Sequence, residues 1–172
     1  MKTQLTKNQI KSACSKDDLK PALKGAYYQP EENRLTTCDG FMIIHYPVQS
    51  NENDSTAILP TDIFPSTVKE AQNSTYEING KAERSYNGMI QSADFITEKY
   101  PDYKAVTPKD NPCFEIGIDL MKLKQLCEAI PMSESKDKAV KLSFIAKQSA
   151  VLFETIHHEN KIEGLIMPVR LK

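Results

Sequence analysis

Short runs of alternating apolar and polar residues, separated by stretches whose apolar positions recur at helical spacing, organise this chain. The pattern is clearest after residue 112. Phe114, Ile116 and Ile118 alternate with Glu115 and Gly117 and predict a strand. Asp119 then stands at an N-cap position, and Leu120, Leu123, Leu126, Cys127 and Ile130 follow at helical spacing to an end near Pro131. Val140, Leu142 and Phe144 alternate with Lys141 and Ser143, residues 151–157 are β-branched and aromatic, and residues 162–171 make a third strand. The order is strand, helix, three strands.

Two polar segments rich in turn formers, residues 49–55 and 107–112, set off two earlier units of the same order. In the second, residues 57–59 read as a short strand. Thr61 is the predicted N-cap of a helix carrying Ile63, Phe64, Val68 and Ala71, with Pro65 in its first turn. Residues 75–78, 84–90 and 92–96 follow as strands separated by Asn79-Gly80 and by an Asn87-Gly88 turn or bulge. In the first unit, residues 7–15 form a weaker helix with Ile10, Ala13 and Cys14 on one face. Strands follow over 22–29 and 33–48, the latter interrupted by a turn or bulge at Asp39-Gly40. Three helix-then-strands units predict an α+β fold in which helices cover one face of largely antiparallel sheet.

Composition narrows the function more than the fold. A chain of 172 residues, 40% hydrophobic and 26% charged, is expected to bury a real core as one domain or one plus a fraction. No apolar run nears the roughly 18 residues of a membrane span, and the first residues lack the apolar stretch of a signal peptide, so a cytoplasmic location is expected. With 22 basic and 23 acidic residues the net charge is -1, and any attraction to nucleic acid must come from local placement. Cys14, Cys38, Cys113 and Cys127 form no C-x-x-C pair, so buried free thiols are expected rather than a zinc site or disulfide framework. No cofactor is expected. Enzymatic arrangements fare poorly as well. His157 and His158 are adjacent in a predicted strand and point to opposite faces, Asp39 is better explained by its turn than by a dyad with His45, and no nucleotide-binding loop is present.

Three stretches carry a resemblance. Leu23-Lys24-Gly25, followed by Arg34-Leu35-Thr36-Thr37-Cys38-Asp39-Gly40-Phe41-Met42-Ile43, is the first. Tyr100-Pro101-Asp102-Tyr103-Lys104-Ala105-Val106-Thr107-Pro108 is the second, and Ile166-Met167-Pro168-Val169-Arg170-Leu171 is the third. Together, and in this order, they resemble the bacterial DNA polymerase III beta subunit, the sliding clamp. The resemblance implies DNA-clamp-like repeats of helix plus antiparallel strands, about one and a half clamp domains. Residues 1–108 resemble the central clamp domain with two helix-and-strand units, and residues 109–172 resemble half of the C-terminal domain.

Clamps encircle duplex DNA without chemistry of their own and tether polymerases and repair proteins through a hydrophobic peptide pocket. Carried over motif by motif, the resemblance places that pocket at Leu23, Cys38, Gly40, Phe41, Met42, Ile43, Pro101, Val106, Leu165, Met167, Pro168, Val169, Arg170 and Leu171. The same strand positions would equally suit ordinary core. Phe41-Met42 stands where clamps commonly carry a polar or basic pair, and Ala105 where many carry Arg, so a greasier pocket is expected. DNA contact would fall to Lys7 and Lys11 on the first helix and Lys122 and Lys124 on the third, binding phosphates without reading bases, although each also suits a solvated helix face. The partners implied are duplex DNA, clamp-binding peptides of polymerase or repair proteins, and further copies of the chain, with no membrane. The alternative is a clamp-derived docking or regulatory module that does not encircle DNA.

Overall fold

The computed structural model describes residues 1–130, 139–146, 148–157 and 160–170, the side chains of residues 157 and 160 excepted. The chain divides into two compact units, Met1–Thr107 and Pro108–Lys172. Both combine short helices with antiparallel sheet, the α+β class expected from the alternating patterns.

The first unit is built from two halves of similar order. Its first half has helix α1 (Lys7–Ser12) and strands β1 (Gly25–Gln29), β2 (Arg34–Cys38) and β3 (Ile43–Pro47). Its second half has strand β4 (Ala57–Pro60), helix α2 (Val68–Asn73) and strands β5 (Thr75–Asn79), β6 (Lys81–Tyr86) and β7 (Met89–Ala93). Thr6 starts α1 with a capping box: its hydroxyl accepts from Gln9 N at 3.4 Å, and Gln9 Oε1 accepts from Thr6 N at 2.8 Å. Asn87 and Gly88, both at positive φ, close the β6–β7 hairpin as a two-residue turn.

The halves are joined by exchanged strand edges. Strand β4, which precedes α2, leaves its own half and pairs with β1 of the other, from Gly25↔Pro60 to Tyr28↔Ala57, in a sheet of order β3-β2-β1-β4. In the other direction, the segment preceding α1 meets the first strand after α2. Met1 N donates to Tyr76 O at 2.7 Å, and Tyr76 N donates to Met1 O at 2.9 Å. One core then serves both halves. Ile10, Tyr28 and Leu35 come from the first, and Leu59, Ile63, Tyr76 and Ile78 from the second, all essentially without solvent contact. Each such side chain contributes about 1.5–3 kcal/mol on burial.

Asp54 sits on this seam. Its carboxylate accepts from Tyr28 Oη at 2.7 Å, Asn51 N at 2.9 Å and Ile78 N at 3.1 Å, and lies 2.8 Å from the Met1 ammonium. Burial alone would raise its pKa, but the hydrogen bonds from the ammonium, Asn51, Tyr28 and Ile78 outweigh it and hold the carboxyl below the usual aspartate range.

The second unit has one half only: helix α3 (Leu120–Ala129) and strands β8 (Lys141–Ser143), β9 (Val151–His157) and β10 (Asn160–Ile166), in a sheet of order β10-β9-β8. Asp119 caps α3 as expected, its Oδ1 accepting from Met121 N at 2.7 Å. Among the described residues of this unit, Val151 and Ile166 are the only buried hydrophobic side chains.

Four expectations are corrected. Helix α2 starts after Thr67 rather than Thr61: residues Thr61–Ile63 form a single 3-10 turn, and the Thr67 hydroxyl caps α2 by accepting from Glu70 N at 3.2 Å. Pro65 lies between the two and interrupts what periodicity alone joined. The strand expected over 114–118 is reduced to one bridge, Gly117↔Val169, because no second strand lies alongside it among the described residues. The last strand stops at Ile166, two residues before Pro168, which has no N–H to donate. Finally, Cys14 and Cys38 are buried free thiols, but Cys113 and Cys127 are exposed. Helix α3 ends at Ala129, two residues before Pro131, as expected, and His158 lies outside the described residues.

Two outcomes are expected. Asp54→Asn should cost about 2 kcal/mol of stability. Because the folded carboxyl titrates below the unfolded one, its stabilisation is present at neutral pH and lost as pH falls through the carboxylate range, so thermal melts of the two proteins should converge on acidification. A Cβ on Gly25 would stand 2.6 Å from Leu59 O and 2.7 Å from the Ile96 side chain, so Gly25→Ala should force β1 and β4 apart and cost about 2 kcal/mol in denaturant titration.

Candidate functional site

The segment after β7 folds back over the four-stranded sheet and is pinned there by two tyrosines. Tyr100 stacks on Tyr27 of β1 with centroids 4.7 Å apart, and its hydroxyl donates to Thr36 O at 3.4 Å. Tyr103 packs against His45 at 5.0 Å and donates to Gln29 Oε1 at 2.7 Å. Around them lies a small second core of Ala22, Leu23, Cys38 and Ile58, with Ile43 and Ile96 half-buried against it. The two tyrosines thus combine apolar burial with a satisfied hydroxyl and fix the segment's path.

An open groove of about 740 Å³ borders this second core, entirely within the first unit. Of the positions expected in the pocket, Leu23, Cys38, Gly40, Phe41, Ile43, Pro101 and Val106 line it. Leu23 and Cys38 are buried and form its floor, whereas Phe41 is 97% exposed and Val106 72% exposed at its rim. Met42 is half-exposed but is not part of the lining. Leu19, Lys20, Pro21, Ala22, Glu98, Asp102 and Tyr103 also line the groove and were not expected. Leu19, a 90% exposed leucine in the polar loop before Pro21, carried the one signal that could have found it.

The rim is shaped by the Asp39-Gly40 turn. Asp39 Oδ1 accepts from Phe41 N at 2.8 Å and Met42 N at 2.7 Å, and these backbone donors hold its carboxyl below the usual range. Gly40 takes φ +99, and Phe41 is thereby held out into solvent with Lys20 Nζ 6.0 Å from its ring centroid. His45 does not meet Asp39. Its Nδ1 lies 2.9 Å from Thr36 Oγ1. Burial pushes the Cys14 thiol up to about 12, which leaves it inert as a nucleophile.

The remaining pocket positions belong to the second unit. Leu165, Met167 and Val169 are 58%, 61% and 45% exposed, Pro168 is half-buried and Arg170 exposed, while Leu171 lies outside the described residues. The lysines differ in their engagement. Lys7 pairs with Asp62 at 2.6 Å, Lys124 lies 3.8 Å from Glu128, and Lys122 donates to Gln125 Oε1 at 3.1 Å. Lys11 is exposed, with no ion pair among the described residues, on the α1 surface that also carries Lys7. Among the described residues, no group of three or more His, Cys, Asp or Glu could hold a metal ion, and no helix is long and apolar enough to cross a membrane.

No family model and no curated protein matches the sequence. Solved structures do. The beta sliding clamp of C. crescentus superimposes with a TM-score of 0.71 at 17% identity, over 95% of this chain and 49% of its own. DNA polymerase III subunit beta from Borrelia burgdorferi gives 0.69 at 20% identity, over 94% and 45%, and the beta chain from Streptococcus pneumoniae gives 0.69 at 17%, over 95% and 46%. The chain spans about half the length of the clamps it matches. Helix-and-strand halves joined by exchanged edges, matched across nearly all of these residues, give this chain the fold of the bacterial DNA polymerase III beta sliding clamps.

Proposed function

We propose that the chain is a non-enzymatic, cytoplasmic, clamp-like replication accessory that associates with duplex DNA without reading its sequence and docks polymerase or repair proteins through a hydrophobic peptide groove. The observation that carries the docking part is the groove of the first unit, with its buried Leu23 and Cys38 floor and exposed Phe41 and Val106 rim. Such a surface suits a short peptide with leucine or phenylalanine anchors: the floor desolvates the anchor, and Phe41 has the freedom to close over it. The clamp fold supports the DNA part, with Lys7, Lys11, Lys122 and Lys124 as the phosphate-binding side chains. With 19 Lys and 3 Arg in the chain, such interactions are mostly point charges rather than bidentate forks.

One observation favours the second reading, a docking module that does not encircle DNA. Lys7 and Lys124 each have a carboxylate partner on the protein, which a phosphate would have to displace.

The docking reading is tested by fluorescence anisotropy with a labelled short peptide carrying adjacent Leu and Phe. Replacing Phe41 and Val106 together by Ala should weaken binding at least tenfold, about 1.4 kcal/mol, with little change in melting temperature because both are exposed. Unchanged affinity in that variant would remove the groove from the proposal. For DNA, changing Lys7, Lys11, Lys122 and Lys124 to Glu should weaken association and flatten its dependence on salt, by about one unit of log–log slope for each phosphate no longer neutralised. Retention on closed circular DNA with release from linear DNA marks encirclement; peptide binding without retention marks the second reading.

A further inference from the structure

The first unit shows what a half of this fold requires. Each half gives the strand segment ahead of its helix to the other half and receives one on its own first post-helix strand: β4 goes to β1, and the Met1 segment goes to β5. The second unit has both of these elements, and among the described residues neither has the partner strand it has in the first unit. Residues 114–118 alternate as a strand should, yet they form the single bridge Gly117↔Val169. The first post-helix strand, β8, pairs on one side with β9 and carries no strand on its other edge among the described residues.

The second unit also leaves much apolar surface in water. Leu142, Phe153 and Gly164 stand in register across the three strands, so they share one sheet face with Val151 and Ile166. The opposite face carries the charged set of Lys141, Glu154, Lys161 and Glu163 and, exposed among them, Leu152, Ile156 and Leu165. On the apolar face Val151 and Ile166 are buried, but Leu142 is 38% exposed, and α3 has no buried residue at all. Among the described residues, two buried apolar side chains fall far short of offsetting the conformational entropy of ordering them.

We infer that the second unit pairs with the second unit of another copy of this chain, the two exchanging residues 114–118 onto each other's β8 and closing one shared core. A second copy fits because donor segment and acceptor edge lie in the same unit. A two-fold axis satisfies both at once, as an isologous interface requires. The pairing uses neither the peptide groove nor the lysines and does not rest on the functional reading above.

Sedimentation equilibrium on the full chain, combined with hydrogen exchange, tests this. The expected result is a species of twice the 19.4 kDa chain mass, with the amides of 114–118 and 141–143 protected together and losing protection together on dilution. Ile116→Pro, which removes a ladder donor, should raise the dissociation constant at least a hundredfold and leave protection of β1 and β2 unchanged. A wild-type protein that stays monomeric through the micromolar range overturns the inference, as does a dimer in which 114–118 exchange freely. Protection of 114–118 in a monomer would also overturn it, since the segment would then be satisfied within its own chain.

Discussion

The exchange of strand edges between halves is the constraint on which the first unit depends. Neither half closes a core alone. Only when β4 crosses to β1 and the Met1 segment reaches β5 do Tyr28, Leu35, Leu59 and Tyr76 face one another out of water. Asp54 reinforces that seam because its acceptors are spent on both sides of it, on Tyr28 from the first half and on Ile78 from the second. Gly25 makes the approach sterically possible, since any side chain there would meet the backbone of β4.

The groove is a by-product of the same architecture. The four-stranded sheet needs cover on the face that carries Tyr27 and Cys38, and the segment with Tyr100 and Tyr103 supplies it only in part. Between that segment and the loop around Pro21, a strip of apolar floor is left open, and the Asp39-Gly40 turn sets Phe41 beside it. Burial and exposure therefore meet within a few residues: Cys38 in the core, Phe41 in water.

Local signals were legible where the physics is local. Strand β9 runs over the residues that their β-branched pattern marks, and Asp119 caps α3 through a hydrogen bond within two residues. The Asn87-Gly88 turn, expected as a turn or bulge, resolves into a tight hairpin because both residues take positive φ. What the pattern missed depends on distant partners. Residues 114–118 have the alternation of a strand, but a strand exists only beside another edge. Thr61 and Thr67 are both able to cap a helix, and the choice between them falls to the break at Pro65. Likewise the groove was legible in the positions its motifs carry, whereas Leu19 and Glu98 enter it through the folding-back of the chain. The motif resemblance anticipated the fold even though whole-chain identity to a solved clamp is 17%, because the turn and strand-end residues that fix the path are a small share of the sequence.

The two units also answer differently to concentration. The first closes its halves on each other within one chain and is indifferent to dilution, whereas the pairing inferred for the second is second order in protein, so the fraction of that unit in closed form follows the amount of protein present.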